Sequence, residues 1–377
     1  MTEPDDDDAR CMARAIALAR RGLYGVDPNP RVGCVIRQQG RIVGEGWHRR
    51  AGEPHAEVHA LRMAGAAAAG ADVFVTLEPC AHQGRTPPCS GQLIDAGVAR
   101  VYAAMLDPNP QVCGRGAQRL REAGIAVHVG LLAGAAQALN PGFSRRMGDG
   151  RPWVRVKLAA SLDGRTAMAS GESRWITGAA ARRDVQFWRA RSSVVVSGAG
   201  TICADDPALN VRLSAAELGV EQVRQPRRVV LDAHGRCAAD ARVFQLPGPS
   251  AWVRAGAAAA AGASPPPDGV DGVRLPARLG KIDLQSLLRL LARRYEANEV
   301  LVEAGAGLAG AFLAQGLVDE FIVYFAPHVM GDQARGLLAL PGLETMAQRI
   351  ALQWLDVRRV GDDLRAILRP AVTGCVV

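Results

Sequence analysis

Lysine is almost absent from this chain: of its 45 basic residues only Lys157 and Lys281 are lysines, and the rest are arginines. Also lacking is any run of about 18 apolar residues, which excludes a conventional membrane-spanning helix. The opening MTEPDDDDAR is acidic where a secretory leader would be basic and then apolar, so a cytoplasmic protein is expected. No Lys/Arg-rich run marks a nucleic-acid arm, because the formal charge of +8 is spread along the chain. Arginine's fork suits phosphate, and an anionic small molecule fits this balance at least as well as nucleic acid. The eight cysteines (Cys11, Cys34, Cys80, Cys89, Cys113, Cys203, Cys237 and Cys375) are dispersed, which speaks against a disulfide framework.

At about 150 residues per domain, 377 residues suggest two or three units. Residues 1–9 read as a solvated, disordered acidic tail. From residue 10, helical and strand-like stretches alternate: a helix at 10–21, strands at 32–36 and 41–47 joined by Gln39-Gly40 as a hairpin, and a helix at 55–69. A strand at 71–77 follows, then helices near 89–96 and 114–123 alternating with strands at 98–105 and 125–130. This pattern predicts an α/β layered domain over 10–147. A second α/β domain is expected over 151–370, after the Gly148-Asp149-Gly150 break. It would carry strands at 151–161, 192–198, 227–232, 299–305 and 320–327, with an Ala-, Gly- and Pro-rich loop at 255–279.

Chemistry concentrates in the first of these domains. GEPHAEVHA places His55 and Glu57 at the start of a helix, and TLEPCAHQGRTPPC places Cys80 and Cys89 where a strand gives way to the next helix. Catalytic zinc takes three protein ligands and keeps a fourth position for water. His-x-Glu followed by Pro-Cys and a second Cys is the pattern of zinc nucleobase deaminases, in which the Glu carries protons and is not a ligand. On that reading His55, Cys80 and Cys89 hold zinc and Glu57 is catalytic. The usual gap between the cysteines is two residues, whereas here eight intervene. A structural zinc site would want a fourth ligand, for which His48, His59 and His82 are candidates. The protease motif H-E-x-x-H is excluded by the order His55-Ala56-Glu57-Val58-His59. His59, one helical turn after His55, is expected to pack or hydrogen-bond.

In the second domain, Gly305-Ala306-Gly307-Leu308-Ala309-Gly310 is a G-x-G-x-x-G between a strand and a helix, a cradle for phosphate groups. It lies late in its domain, and no acid closes the following strand, so a Rossmann fold is not read.

The stretches DPNPRVGCVI, GEGWHRRAGEPHAEVHAL, VTLEPCAHQGRTPPC, LDPNPQVCGRG, KLAASLDGRTAMASGESRWITG, ADDPALNVR and VEAGAGLAGAFL closely resemble the bifunctional deaminase–reductase family of riboflavin biosynthesis. The GRTPPC insertion is typical of that family, which accounts for the long gap between the cysteines. The resemblance spans about residues 10–370. It implies a cytidine-deaminase-like α/β/α layered domain followed by a dihydrofolate-reductase-like α/β domain, with Zn2+ and NADPH as cofactors. The implied reactions are deamination of a diamino-hydroxy-pyrimidine bearing a phosphoribosylamino group, then reduction of the ribosyl group to ribityl. Carried over by motif, Ala159, Trp175, Thr201, Asp205, Ala233 and the run Gly305, Ala306, Gly307, Leu308, Ala309, Gly310 and Ala311 line the NADP site. Ser173, Arg189, Leu209, Arg212 and Glu303 contact the substrate, the two arginines as phosphate readers, and Lys157 is a site cation beside the ribose. For Asp163 the alternative is a turn cap, for Trp175 a core position and for Lys157 a solvated strand edge. The expected partners are the phosphorylated pyrimidine and further copies of the chain, with neither nucleic acid nor membrane. A cytidine or tRNA-adenosine deaminase with an unrelated nucleotide-binding second domain, and a nucleotide sensor with structural zinc, are the competing readings.

Overall fold

Strict alternation along the buried strands decides which face each side chain takes. In the computed structural model, which describes residues 4–81, 87–256 and 265–371, the chain divides into two units: Met1–Arg151 with Ala215–Gln222, and Pro152–Ser214 with Val223–Val377. The His82–Thr86 part of the intercysteine insertion, and Cys375, lie outside the described residues.

The first unit is built on β1 (Gly33–Gln38), β2 (Arg41–Trp47), β3 (Asp72–Val75), β4 (Arg100–Ala103) and β5 (Ala126–Val129), in the order β2-β1-β3-β4-β5. The β2-β1-β3 part is antiparallel and β3-β4-β5 is parallel. Cys34, Ile36, Val73, Val75 and Val101 point to one face, under helices Ala56–Ala64, Cys89–Asp95 and Arg115–Glu122. Val35, Phe74 and Tyr102 point to the other, under helix Asp6–Arg20. The result is the expected α/β/α sandwich. The Gln39-Gly40 turn has positive φ at both residues (49° and 75°), which suits a two-residue hairpin loop.

The acidic start differs from the expected tail. Helix Asp6–Arg20 begins inside it, closed by a capping box in which the Asp8 N–H donates to Asp5 Oδ1 (2.8 Å) and the Asp5 N–H donates to Asp8 Oδ2 (3.2 Å). Asp8 is buried because Arg37 of β1 reaches both it (2.6 Å) and Asp72 of β3 (2.9 Å).

The second unit carries β6 (Trp153–Ser161), β7 (Arg165–Ala167), β8 (Val194–Gly198), β9 (Arg227–Leu231), β10 (Ser250–Ala255), β11 (Val270–Leu275), β12 (Ala277–Arg278), β13 (Lys281–Ile282), β14 (Glu299–Glu303), β15 (Glu320–Ala326), β16 (Arg335–Gly336), β17 (Leu352–Val360) and β18 (Asp363–Pro370). Nine strands form one sheet in the order β11-β10-β9-β8-β14-β6-β15-β18-β17, and β7-β16 and β12-β13 are small ribbons. The sheet is parallel from β11 to β15 and antiparallel at β18 and β17. Its central strands are apolar on both faces, Val194, Val229 and Val300 on one and Val195, Val230 and Leu301 on the other, as parallel strands covered on both sides require. Within the stretch expected as a loop at 255–279, β11 pairs in parallel with β10 over Val270–Leu275; residues 257–264 lie outside the described residues. Strands β10, β17 and β18 were not foreseen from the sequence.

Candidate active sites

The chain enters helix Ala56–Ala64 at His55, which occupies the N-cap yet makes no capping hydrogen bond. Its ring turns instead to two thiols: Nδ1 lies 3.3 Å from Cys89 Sγ and 3.7 Å from Cys80 Sγ. The three donor atoms lie within 4.8 Å of one another, the only such cluster of His, Cys, Asp and Glu donors among the described residues. Bonds of about 2.3 Å to sulfur and about 2.0 Å to nitrogen around a tetrahedral ion place S and N about 3.5 Å apart. The donor set therefore fits zinc. Two close packings bring the elements together. Cβ atoms at Gly44 and Gly46 of β2 would lie 2.3 Å from the carbonyl oxygens of Ala60 and Ala56, so only glycine lets the His55 helix rest on the strand. Across the site, the Cys89 N–H donates to Cys80 Sγ (3.3 Å) and the Ser90 N–H to the Cys80 carbonyl (3.1 Å).

Electrostatics favour a metal ligand at Cys80. Hydrogen bonding from the Cys89 side chain first, with His55 and the Cys89 N–H, holds its thiol down to about 4 against the effect of burial. The facing Cys80 sulfur, then burial, push Cys89 the other way; a cation between them favours both thiolates. Glu57, in the first turn of the same helix, is 3% exposed, and its Oε2 has no hydrogen-bond partner. Burial raises its pKa, opposed by His55. A buried carboxylate oxygen left open beside three ligands fits a site whose fourth position takes water. His48 is committed elsewhere, between Asn29 Nδ2 (3.0 Å) and the Pro54 carbonyl (3.1 Å), and His59 stands outside the cluster. His82 lies outside the described residues.

In the second unit Lys157, midway along β6, and Glu303, the last residue of β14, are register partners on adjacent parallel strands. Burial pushes the Lys157 ammonium below its ordinary pKa. Glu303 is pushed up by burial, but Arg189 and Lys157 outweigh this and leave it below the usual carboxylate range. Arg189, on helix Ala179–Arg191, donates Nε (2.6 Å) and Nη2 (2.9 Å) to the two Glu303 oxygens and Nη1 to the Asn210 carbonyl (3.1 Å). Arg212 is exposed, with Nη1 3.3 Å from Asn210 Oδ1. Burial of its inner part, then the Arg189 charge, lowers its pKa.

The remaining expected residues separate into accessible and enclosed. Gly305 caps helix Ala306–Ala314, and Gly305 and Gly307 have nothing within 4 Å of a built Cβ, so their backbone is open to a phosphate group. Ala306, Leu308 and Ala311 are half-buried. Ala309 is fully buried in the core, and a Cβ on Gly310 would lie 2.1 Å from the Ala339 carbonyl; those two pack the helix rather than face outward. Leu209 is likewise core, 2% exposed, at a φ of 50°. Thr201 and Asp205 sit half-buried on helix Ala199–Asp205, Ala159 on β6, and Ala233 just beyond β9. Trp175 is 70% exposed, not core, with the Arg182 guanidinium 4.6 Å over its ring; Arg174 beside it donates to the Asp205 carbonyl, and Ser173 lies in the same loop. Asp163 is a clamp: its carboxylate accepts the N–H groups of Met330 and Gly331 (3.1 and 2.8 Å) and the Ser161 hydroxyl.

Comparison with known proteins adds the decisive observation. Residues 152–366 match the family model described as the RibD C-terminal domain, and residues 5–105 match the cytidine and deoxycytidylate deaminase zinc-binding region. The riboflavin biosynthesis protein RibD of Escherichia coli is 51% identical over 95% of this chain and 98% of its own length. The chain belongs to the RibD family. The RibD of Haemophilus influenzae is 47% identical over 98% of this chain and 99% of its own. Among solved structures, Acinetobacter baumannii RibD superposes with a TM-score of 0.87 at 46% identity, covering 97% of this chain and 99% of the other. A Thermotoga maritima diaminohydroxyphosphoribosylaminopyrimidine deaminase/5-amino-6-(5-phosphoribosylamino)uracil reductase gives 0.84 at 33% identity, covering 96% and 98%. As a RibD-family member the chain is a bifunctional enzyme of riboflavin biosynthesis, pairing a zinc-binding deaminase domain with an NADPH-dependent reductase domain. The match of the second half to RibD removes the reading of an unrelated second domain. One carboxylate beside the zinc centre, Glu78, escaped the sequence reading because its partners lie 29 to 39 positions away.

Proposed function

We propose that the first unit hydrolyses the exocyclic amino group of a phosphoribosylamino pyrimidine and that the second reduces the ribosyl chain of the deaminated product. The observation that carries the first half is the three-ligand His55–Cys80–Cys89 cluster with the open Glu57 carboxylate beside it. When bound, zinc supplies Lewis-acid activation of water near neutral pH. Glu57 takes a proton from the attacking water at Oε2, passes it to a ring nitrogen, and returns a proton to the amino group as ammonia leaves. Its burial raises the carboxyl pKa and so makes the carboxylate a better acceptor of the first proton.

In the second unit, NADPH supplies the hydride when bound, with Gly305 to Gly307 offering backbone N–H groups to its phosphates. Carbon 1 of the ribose gains that hydride, and the ring oxygen, leaving as a hydroxyl, needs a proton. Lys157 is the donor we assign, since burial eases its deprotonation. Glu303, itself held by Arg189, is the counter-charge that faces the ammonium, and Arg212 reads the substrate phosphate. Thr201, Asp205, Ala233, Trp175 and Ala159 are assigned to the cofactor side, and Ser173 to the substrate.

We also infer that the protein works as a homo-oligomer in the cytoplasm. The last sheet strand, β17, exposes Leu352, Trp354, Leu355 and Val357 at the sheet edge, a surface a second copy would cover. None of the cysteines among the described residues is in a disulfide, as suits a reducing compartment. Light scattering on the purified protein measures the copy number, and a monomer would contradict the assembly.

The test of function is to incubate the protein with the pyrimidine, with and without NADPH, and identify products by mass. Ammonia and the uracil are expected without NADPH, and the ribityl compound only with it. Oxidation of NADPH that does not depend on the deaminated product would refute the reductase assignment.

A further inference from the structure

Two residues before the zinc ligand Cys80, Glu78 is 6% exposed and belongs to no catalytic set. Its carboxylate gathers three main-chain donors from one distant segment. Oε2 accepts the N–H groups of Asp107 (3.0 Å) and Gly114 (2.9 Å), and Oε1 accepts that of Ala117 (3.0 Å). Its own N–H donates to the Met105 carbonyl (2.9 Å). Helix Arg115–Glu122 has glycine at its N-cap, at a φ of 79°, and so lacks a capping side chain of its own. Glu78 fills that place from the segment that follows β3, with a negative charge where the helix leaves N–H groups unmatched. Next to it the Pro79 carbonyl rests on Gly116, where a Cβ would lie 1.9 Å away. Glu78 and Pro79 are thus fixed on the helix from both sides, and Cys80 follows at once.

We propose that Glu78 is a positioning residue for the deaminase, setting where Cys80 Sγ stands relative to His55 and Cys89. Among the described residues Cys80 has few other anchors: its carbonyl accepts from Ser90, and its sulfur has its fellow ligands and the Cys89 N–H. A shift of the Glu78-Pro79 pair therefore passes straight to the sulfur. Three donors converging on one carboxylate need its charge. An amide there offers one acceptor oxygen and turns an NH2 against N–H groups, so Glu78→Gln frees the segment leading to Cys80 without changing the side chain's size. The proposal rests on zinc being held by His55, Cys80 and Cys89. If that reading fails, the wild-type protein itself carries no zinc, an outcome distinct from any effect of Glu78.

The experiment uses the full chain carrying Glu78→Gln. Zinc loss to a chromophoric chelator is expected to be about tenfold faster than in the wild type, and ammonia release to fall at least about tenfold. Reduction of supplied deaminated product should stay within about twofold, which controls for the rest of the chain. With Co2+ in place of zinc, the sulfur-to-cobalt charge-transfer band should fall to about half, the signature of one displaced thiolate. Wild-type chelator kinetics and ammonia release in Glu78→Gln would overturn the proposal. So would complete loss of the cobalt band together with the helical signal of the first unit, because the carboxylate would then merely hold the fold. Gly116→Ala is the second variant, leaving Glu78 intact while pushing the Pro79 carbonyl. It should give the same half-strength band, and a wild-type band there would also refute the idea.

Discussion

Arg189 and Glu303 meet side-on, with Nε and Nη2 at 2.6 and 2.9 Å from separate carboxylate oxygens. The pairing occupies an arginine that the sequence offered as a phosphate reader, and it leaves Arg212 as the exposed guanidinium of the two. Arg212→Ala is accordingly expected to raise KM for the phosphorylated substrate about tenfold with little change in kcat, as steady-state NADPH oxidation will show. A dephosphorylated substrate should not distinguish the variant from the wild type.

Arg189→Met should act on stability as well as on activity. It strands the buried Glu303 charge, and breaking such a pair costs about 3 kcal/mol or more. Urea unfolding of the second unit measures the loss. The double variant Arg189→Met/Glu303→Leu is expected to recover only part of the stability, because Lys157 then loses its counter-charge, and none of the reductase activity.

Glu57→Gln removes the proposed proton carrier and spares His55, Cys80 and Cys89. Ammonia release should fall by about 10²–10⁴ while bound zinc stays at the wild-type level, and reduction of supplied product continues. Zinc analysis and product mass on one sample check all three outcomes. Chelating the metal from the wild type should likewise abolish deamination and leave reduction intact.

Asp163 gives a pH dependence whose sign can be worked out. Its carboxyl is held down at about 2 by the Ser161 hydroxyl first and by the Gly331 and Met330 N–H groups. Its folded pKa thus lies below its unfolded value, near 3.9. The unfolded chain binds more protons in that window, so the stabilisation is complete above about pH 4 and is lost as pH falls toward about 2. Thermal unfolding of the wild type and Asp163→Asn should differ at pH 5 and converge as the pH drops through that window.

Asp8→Ala tests the acidic start. Arg37 keeps Asp72 but loses its contact at 2.6 Å, and the helix loses half of its capping box, so about 2 kcal/mol of stability in the first unit is expected to go. No change in chemical unfolding would mean that the Asp8 carboxylate contributes nothing to the stability of the fold.

Much of this was legible in advance, and the exceptions share a physical cause. The clustering of His55, Cys80 and Cys89 with Glu57 on the same helix was readable because residue type and spacing point to that chemistry, and Gln39-Gly40 named its hairpin because the turn demands positive φ. The helix start was missed because four successive aspartates look solvated until Arg37, 29 positions on, neutralises one of them. Strand β17 was missed because exposed apolar residues such as Trp354 and Val357 show no in–out alternation. Arg189 was foreseen at the site, but its engagement with Glu303, 114 positions away, was not. Likewise, only contacts across the fold reveal that Gly310 serves packing against Ala339. What local pattern cannot announce is which polar group a distant segment has already claimed.

The glycines beneath the His55 helix carry a consequence for genetics. Gly44 and Gly46 touch no reactant, yet any side chain there lifts the element that bears both His55 and Glu57. A selection for riboflavin auxotrophs would return these positions beside His55, Cys80 and Cys89, and an alanine scan that skips glycine would never find them. Their alleles should divide by metabolite: cells carrying them would grow on the deaminated intermediate, whereas Lys157 alleles would not.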